Sequence, residues 1–408
     1  MASQCAWFLG PETWTVITTG HIYQLSALTR QTDVLVDRII STLKSWLSSW
    51  VSRGHCPFVH STLYSDRMPP CVADAYSTLA LCSVRTPENR IMVRRLIHER
   101  ILRLVHEGAG PGNHYQNYQH LRERMRRAER GLPVGTAEDG EEAAELLFPE
   151  GREVLVRLAQ VQALLVYQLV GFFDGEICLR RHAEALVPTL NAWLEDLLSA
   201  TRTTTSNPLL SILGFDSSSA AASLAHITGL GETGHARPPS TSPETSVTGE
   251  PNNGSKGGSK DFVVTTPEEE DMQWRLWAVA ESVRRTWTVA CLAQAAYTTA
   301  YSGDSISRGR LKLTLAAGAW DAPSSFVWRR SLDRCSRRGA AAAEAAGGGE
   351  GGRGEGNAQQ QPRELVDLHD MLAKTRPDEV DEFGKLAGEA AFGLDAMERW
   401  GVDINDTL

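Results

Sequence analysis

The sequence has few cysteines for its length, and none of them are paired. The seven cysteines are scattered and odd in number, and no two of them form a C-x-x-C pair. A disulfide framework and a zinc ribbon or finger both need paired, regularly spaced cysteines. The sequence therefore predicts an intracellular protein in a reducing compartment, without a structural zinc site.

The sequence also lacks a secretion signal and a long apolar run. Its start, MASQCAWFLGPETW, has neither a charged segment nor a continuous apolar segment of the kind that directs secretion. The longest apolar stretch, Val161 to Phe173, is interrupted by Gln162 and Gln168 and is too short to span a bilayer. We therefore expect a soluble protein that does not insert into a membrane.

Catalytic signatures are missing as well. No G-x-S-x-G elbow, P-loop or protein-kinase set occurs. GLGETG at 229–234 matches the dinucleotide-binding pattern, but its flanks are linker sequence rather than a strand and a helix. His55, Cys56 and His60 form an H-C-x-x-x-H pattern, which supplies three ligands where a closed zinc site needs four. The sequence thus predicts no enzyme, no metal site and no cofactor.

Charge is present but unevenly distributed. The net charge is −9, with +6 in residues 1–130 and −15 in the remainder. The densest basic segment is HLRERMRRAER, at 120–130. Its five arginines are a candidate patch for nuclear import or phosphate contact: Arg122, Arg124, Arg126, Arg127 and Arg130. A solvated helix face explains the same pattern, both here and in a second arginine cluster at 329–338.

Two low-complexity tracts divide the chain. Residues 201–266 are dense in Ser, Thr, Gly and Pro, and residues 336–363 are dense in Ala and Gly, so we predict disordered linkers at both places. The other blocks are an N-terminal helical part at 1–130, central buried helices at 131–200, a helical segment with a WDAPSS turn at 267–335, and C-terminal helices at 364–408.

These blocks have the apolar period of α-helices. Apolar residues recur every three or four positions between 93 and 104, after Thr86 and a proline that predict the helix start. Residues 154–173 are apolar on most sides, which predicts a buried central helix. KLTLAAGAW at 312–320 is the single candidate strand. The predicted fold class is all-α, a multi-helix regulatory domain interrupted by disordered inserts.

Five segments share a further pattern of apolar, Trp and Arg positions. Three are ESVRRTWTVACLAQAAYTTAYSG (281–303), AAGAWDAPSSFVWRR (316–330) and PDEVDEFGKLAGEAAFGLDAMERW (377–400), and the others are at 74–101 and 157–177. The first three resemble the C-terminal regulatory region of fungal zinc binuclear cluster transcription factors, and the other two resemble the middle region of that family. The resemblance implies an α-helical regulatory module of a nuclear regulator, which binds partners rather than catalysing a reaction.

The chain departs from this family at its cysteines. The six-cysteine cluster that binds two zinc ions and reads DNA is missing, since only Cys5, Cys56 and Cys71 precede residue 74. We therefore predict a nuclear regulator of a fungal secondary-metabolite gene cluster, with transcription factors or coactivators as partners. Its contact with DNA is indirect, or is made by a domain encoded in a missing N-terminal exon, and both alternatives stay open.

A second hypothesis is a helical small-molecule-binding or enzyme domain. Its pocket would be lined by Trp277, Trp287, Tyr297 and Trp320. Packing is the other role of such residues, and the expected packing anchors are Trp287, Trp320, Trp328 and Trp400.

Two arginines in the 281–303 segment have charged residues at pairing distance in the sequence pattern. Arg284 and Arg285 are expected to pair with Glu281 and Asp381 across helices. We expect these pairs at a surface, where an ion pair contributes little stability.

Overall fold

The computed structural model describes residues 7–18, 30–65, 68–108, 127, 130, 154–203, 266–302, 308–346 and 365–401. These residues form ten α-helices and two short 3₁₀-helices, with isolated β-bridges in place of strands. The helices are α1 (Arg30–Arg53), α2 (Pro70–Ser83), α3 (Arg90–Gly108), α4 (Val154–Phe173), α5 (Ile177–Thr203), α6 (Pro267–Ser302), α7 (Ser325–Ala346), α8 (Leu368–Lys374), α9 (Glu382–Phe392) and α10 (Leu394–Trp400). The all-α prediction is confirmed.

Helix α4 lies at the centre of the fold and packs most extensively against α5. Every residue from Arg157 to Phe173 is buried, because this helix is apolar all round. A short turn returns the chain into α5, which runs antiparallel to α4. A Cβ atom on Gly171 would lie 2.6 Å from the Leu179 carbonyl oxygen and 2.6 Å from the Ala183 Cβ atom. The glycine therefore allows the two helices to approach closely.

The structure corrects the length of this apolar segment. The helix spans 20 residues, and its length and composition would suffice to cross a membrane. Inside the protein, however, 89% of its most apolar window is buried. Burial of this kind is typical of a core helix.

The glutamines of α4 have hydrogen-bond partners within the core. Gln162 donates from Nε2 to the Phe58 carbonyl oxygen at 2.6 Å, and its Oε1 atom accepts from the Tyr64 hydroxyl at 2.6 Å. Gln168 accepts through Oε1 from Gln294 Nε2 at 3.3 Å. A buried amide without a partner would cost about 1–3 kcal/mol. These bonds connect α4 to the 58–64 segment and to α6.

Helix α3 begins slightly later than the sequence predicts. The helix starts at Arg90, and residues 87–89 form a turn before it. Thr86 still closes this turn, because its backbone N donates to Asn89 Oδ1 at 2.8 Å. The buried face of the helix includes Val93 and Ile97, as the apolar period predicts.

The predicted strand at 312–320 is wrong. Residues 308–316 run without helical structure, and three of them form single bridges to three different segments: Arg310 to Ile17, Leu313 to Val366, and Ala316 to Val380. Because each partner segment pairs at one position, no continuous ladder forms. The segment instead connects the N-terminal 7–18 segment with the C-terminal helices.

The predicted disordered linker at 336–363 is wrong at its start. Helix α7 continues through 336–346, because alanine is the strongest helix former and this stretch reads SRRGAAAAEAA. The remainder of the tract up to residue 363, most of the 201–266 linker, and residues 131–153 lie outside the described residues.

The described parts of the ordered blocks share one hydrophobic core. Phe8, Trp50, Leu164, Trp277 and Met397 all belong to it, although they come from different ends of the chain. Sequence separation by the two tracts therefore does not separate the blocks in space. The domain boundaries drawn from the sequence stay predictions.

Candidate functional site

Four charged side chains meet inside the core and form what we call the buried charge cluster. Its members are Glu281, Arg284 and Arg285 on α6, and Asp381 immediately before α9. The three residues on α6 are at most 1% exposed. Spacings of three and four residues place them on one face of the helix.

Arg285 is the centre of this cluster. Its Nη2 atom donates to Asp381 Oδ2 at 2.5 Å and to the Thr314 carbonyl oxygen at 3.1 Å. Its Nε atom donates to Glu281 Oε1 at 3.3 Å. The same Glu281 oxygen accepts from the Thr314 backbone N at 3.0 Å. The guanidinium fork thus joins α6, the 308–316 segment and the start of α9.

Arg284 connects the cluster to the N-terminal segment. Its Nη2 atom donates to the Phe8 carbonyl oxygen at 2.5 Å and to Thr13 Oγ1 at 3.0 Å. Its Nη1 atom lies 3.8 Å from Glu281 Oε2, which is an ion pair without a hydrogen bond. Arg284 therefore binds mainly neutral oxygens, whereas Arg285 binds two carboxylates.

Aromatic rings enclose both guanidinium groups. The Arg285 Cζ atom lies 4.2 Å from the ring centroid of Trp320 and 4.6 Å from that of Phe383. The Arg284 Cζ atom lies 4.0 Å from the ring centroid of Trp14. Cation–π contacts of this kind are worth about 2 kcal/mol or more when they are desolvated. They offset part of the cost of burying two cations.

Burial changes the acidity of the cluster. It raises the pKa values of Glu281 and Asp381 above their usual range, and the positive charge of Arg285 opposes that rise. Burial also lowers the pKa of Arg284 to about 10. Two guanidinium groups and two carboxylates balance in charge when all are ionised, so the cluster then adds no net charge to the core.

The predicted surface location of these pairs is wrong. The pairings of Arg285 with Glu281 and Asp381 are present, but they lie inside the protein. The reason is that α6 is covered along its length by α1, α4, α5, α7 and α9. The cluster links four segments of the chain in a closed environment, so its chemistry is that of a positioning element.

A second buried polar group, His60, lies beside the cluster. Its ring centroid is 5.9 Å from that of Trp274, 6.0 Å from that of Trp277 and 4.9 Å from that of Trp320. Burial, followed by the charge of Arg285, lowers the pKa of His60 to about 3. The imidazole is therefore neutral near pH 7.

The H-C-x-x-x-H pattern that contains His60 does not assemble as a metal site would. Burial raises the pKa of the Cys56 thiol to about 12, which disfavours the thiolate that binds metals. The backbone of Cys56 pairs with Val59 in a tight bridge. Within the described ranges, no three His, Cys, Asp or Glu side chains group closely enough to hold a metal ion.

The four tryptophans expected to act as packing anchors lie in two environments. Trp287, Trp320 and Trp328 are buried in the core, and the Trp328 ring centroid lies 5.5 Å from that of Trp277. Trp400 is half-buried, and its Nε1 atom donates to the Thr375 carbonyl oxygen at 3.2 Å.

The aromatic residues of the alternative pocket are not brought together. Trp277 and Trp320 are neighbours, with ring centroids 6.2 Å apart. Tyr297 lies about 30 Å from Trp277 along α6, at 1.5 Å per residue. Its ring stacks on Phe172 at 4.1 Å, and its hydroxyl donates to Glu184.

The arginine patch at 122–130 is described only in part. Arg127 and Arg130 are exposed, whereas Arg122, Arg124 and Arg126 lie outside the described residues. In the second cluster, Arg330 and Arg334 point outward from α7. Arg329 lies 3.9 Å from Glu270 in an ion pair.

Comparison with known proteins gives the chain a relative. Over 286 residues it is 24% identical to transcription factor gsfR2 of Penicillium aethiopicum, a match that covers 70% of this chain and 48% of that protein. The chain is similar to a fungal transcription factor. The resemblance predicted from the sequence is thereby confirmed, and the chain spans about half the length of the curated relative it matches. No family model and no solved structure matches the chain significantly.

The buried charge cluster was accessible to sequence analysis only in part. The i, i+3 and i+4 spacing of Glu281, Arg284 and Arg285 was visible in the sequence. Their burial was not, since it depends on Trp14, Trp320 and other segments far away in the chain. An Arg-Arg pair amid Trp, Val and Ala on both sides is the signal that could have indicated burial.

Proposed function

We propose that the protein is a nuclear regulator of transcription without enzymatic activity. The observation that carries this proposal is the similarity to transcription factor gsfR2 over 286 residues. The helical fold supports it, because a helical regulatory module is what the resemblance implied. The described residues contribute one shared core with a closed charge cluster, which suits a binding module better than an open reaction site.

We further propose that the protein controls a fungal secondary-metabolite gene cluster through protein partners. The sequence has no C-x-x-C pair and no six-cysteine cluster that could read DNA through zinc. Regulation then depends on a DNA-binding partner or on coactivators, which the protein contacts through its exposed helices.

Gene deletion with transcript sequencing tests the function directly. We expect a group of neighbouring biosynthetic genes to change expression, and we expect re-expression of the full chain to restore them. A fluorescent fusion of the full chain should accumulate in the nucleus. Unchanged transcripts together with an exclusively extranuclear fusion would overturn the proposal.

A reporter assay tests the dependence on partners. The full chain is fused to a heterologous DNA-binding domain, and the DNA-binding domain alone is the control. We expect the fusion to change reporter expression, while the unfused chain shows no binding to the promoters of its target genes in vitro. Direct, sequence-specific binding by the purified chain contradicts the partner mechanism.

A further inference from the structure

An unusual share of the exposed apolar side chains lies at one end of the molecule. In the part of the chain that the structure describes, ten large hydrophobic residues are exposed, and half of them surround the start of α3. We call this surface the α3 face, and its apolar members are Val84, Ile91, Met92, Leu96 and Ile177. Clustered exposed apolar residues, unlike scattered ones, mark interaction sites.

The α3 face is continuous across two connections. Arg85, beside Val84, forms an ion pair with Asp174 in the turn between α4 and α5. Arg94 on α3 forms an ion pair with Glu176 at 3.1 Å, and Glu176 directly precedes Ile177. These two pairs hold the start of α5 against the start of α3, so Ile177 lies beside the apolar residues of α3.

The outer stripe of α3 has an arrangement suited to a helical partner. Met92 and Leu96 lie one turn apart on the exposed side, with exposed fractions of 67% and 38%. An amphipathic helix binds such a surface through apolar residues at i, i+3, i+4 and i+7. A methionine at this position adapts its shape to different apolar partners.

Arginines set the charge of the partner. Arg90 and Arg95 are exposed on the first turns of α3, and no described acidic side chain pairs with either. Glu99 is the only acidic residue on the outer stripe, one turn further along the helix. Arginine forms bidentate hydrogen bonds with carboxylates, which favours an acidic partner.

We propose that the α3 face binds an acidic amphipathic helix of a partner protein. This inference rests on the proposed function, because it supplies the partner-binding surface that such a regulator needs. A second copy of the chain fits poorly, since a two-fold contact would place Arg90 and Arg95 next to their own copies. Nucleic acid fits poorly because protein–DNA interfaces are strongly polar, whereas this face is largely aliphatic.

Fluorescence anisotropy on the purified full chain tests the proposal. The probe is a labelled peptide of about 18 residues, long enough to form a helix, with leucines on one face and glutamates on the other. A second peptide has glutamine at every glutamate position. We expect the acidic peptide to bind at least about tenfold more tightly, which corresponds to the loss of one or two charged contacts.

Two surface variants locate the binding. Met92→Ser/Leu96→Ser and Arg90→Gln/Arg95→Gln should each weaken acidic-peptide binding roughly tenfold, as truncation of central contacts does. The matched control is Phe326→Ser/Arg330→Gln/Arg334→Gln, which removes an exposed aromatic residue and two exposed arginines from α7. That control should leave binding unchanged. All the altered side chains are exposed, so we expect each variant to fold.

Several outcomes would overturn the proposal. Equal affinity for the two peptides would do so, as would unchanged binding by both α3 variants or an equal loss in the α7 control. A labelled DNA duplex displaced from the α3 face by the same variants would assign it to nucleic acid. A dimer in light scattering that Met92→Ser/Leu96→Ser dissociates would assign it to a second copy.

The peptide assay is independent of the transcription assay. If the peptide binds as expected and gene deletion leaves all transcripts unchanged, the proposed function fails and the docking surface stands. If deletion changes transcripts and the peptide does not bind, the docking surface fails and the function stands.

Discussion

Arg285 and Asp381 lie 96 positions apart in the chain and are joined by a 2.5 Å hydrogen bond inside the core. The other carboxylate oxygen of Asp381 accepts from the Gly384 backbone N at 2.8 Å and so caps helix α9. One side chain therefore sets both the start of α9 and its position against α6. A side chain with two such roles is a sensitive place to test the energetics of the fold.

Replacing Asp381 should destabilise the protein strongly. Asp381→Ala removes a helix cap worth about 1 kcal/mol and takes a carboxylate from a buried arginine, a loss of about 3–5 kcal/mol. Asp381→Asn retains an oxygen for the cap and should cost less. Urea unfolding measures both, with Asp370→Ala as the control, since Asp370 forms an exposed pair with Lys374. A control as costly as Asp381→Ala would refute this reading.

The two buried arginines should differ in importance. Arg284→Met leaves the Phe8 carbonyl oxygen and the Thr13 hydroxyl without their donor, at a cost of about 1–3 kcal/mol. Arg285→Met leaves the buried Asp381 carboxylate unpaired, at about 3–5 kcal/mol. Chemical denaturation of the two variants in parallel gives the order. The reverse order would mean that the contacts to the N-terminal segment matter more than the ion pairs.

His60 should make the protein less stable in mild acid. Its folded-state pKa of about 3 lies below its usual value of 6.5, so the unfolded chain takes up the proton first. The stabilising effect of a neutral His60 is present above pH 6.5 and is lost as the pH falls towards 3. Between pH 7 and pH 5 the loss should be about 2 kcal/mol.

The variant that isolates this effect is His60→Asn, which retains an acceptor for the Thr62 backbone N. It should be less stable at pH 7, because ring packing is lost, but its stability should fall less between pH 7 and pH 5. Thermal unfolding over that range gives the two slopes. His369→Asn changes an exposed histidine and should keep the parental slope. Equal slopes in the parent and in His60→Asn would exclude His60 as the titrating group.

The fold was predictable where local pattern decides structure. Residues 154–173 are apolar on every side, and this alone predicted the central helix α4. The burial of Arg284 and Arg285 was not predictable, because it is produced by Trp14 and Trp320, which no local pattern connects to α6. The strand prediction at 312–320 failed for the same reason, since single bridges to three distant segments leave no periodic signal.

Gly171 should resist replacement even by alanine. Alanine is the better helix former by about 1 kcal/mol, but its Cβ atom would lie 2.6 Å from the Leu179 carbonyl oxygen. Backbone on both sides leaves little room for adjustment, so Gly171→Ala should lose about 1–3 kcal/mol through overpacking. Thermal denaturation followed by circular dichroism measures this, with Val156→Ala on the exposed side of α4 as the control. A stabilised Gly171→Ala would show that helix propensity outweighs the close contact.

The arginine patch at 122–130 should direct nuclear import. Replacing Arg122, Arg124, Arg126, Arg127 and Arg130 together with glutamine removes five positive charges from one short segment. Because Arg127 and Arg130 are exposed, the change should leave the melting temperature within about 2 °C of the parent, as surface substitutions usually do. The nuclear-to-cytoplasmic fluorescence ratio of a large tandem fluorescent fusion should fall severalfold.

The second arginine cluster provides the matched control for import. Arg330→Gln/Arg334→Gln removes two exposed charges from α7, and its fusion should stay nuclear. If the patch variant stays nuclear and the α7 variant leaves the nucleus, the import signal lies on α7. If both remain nuclear, the 122–130 segment is a solvated face, and its arginines serve solubility rather than recognition.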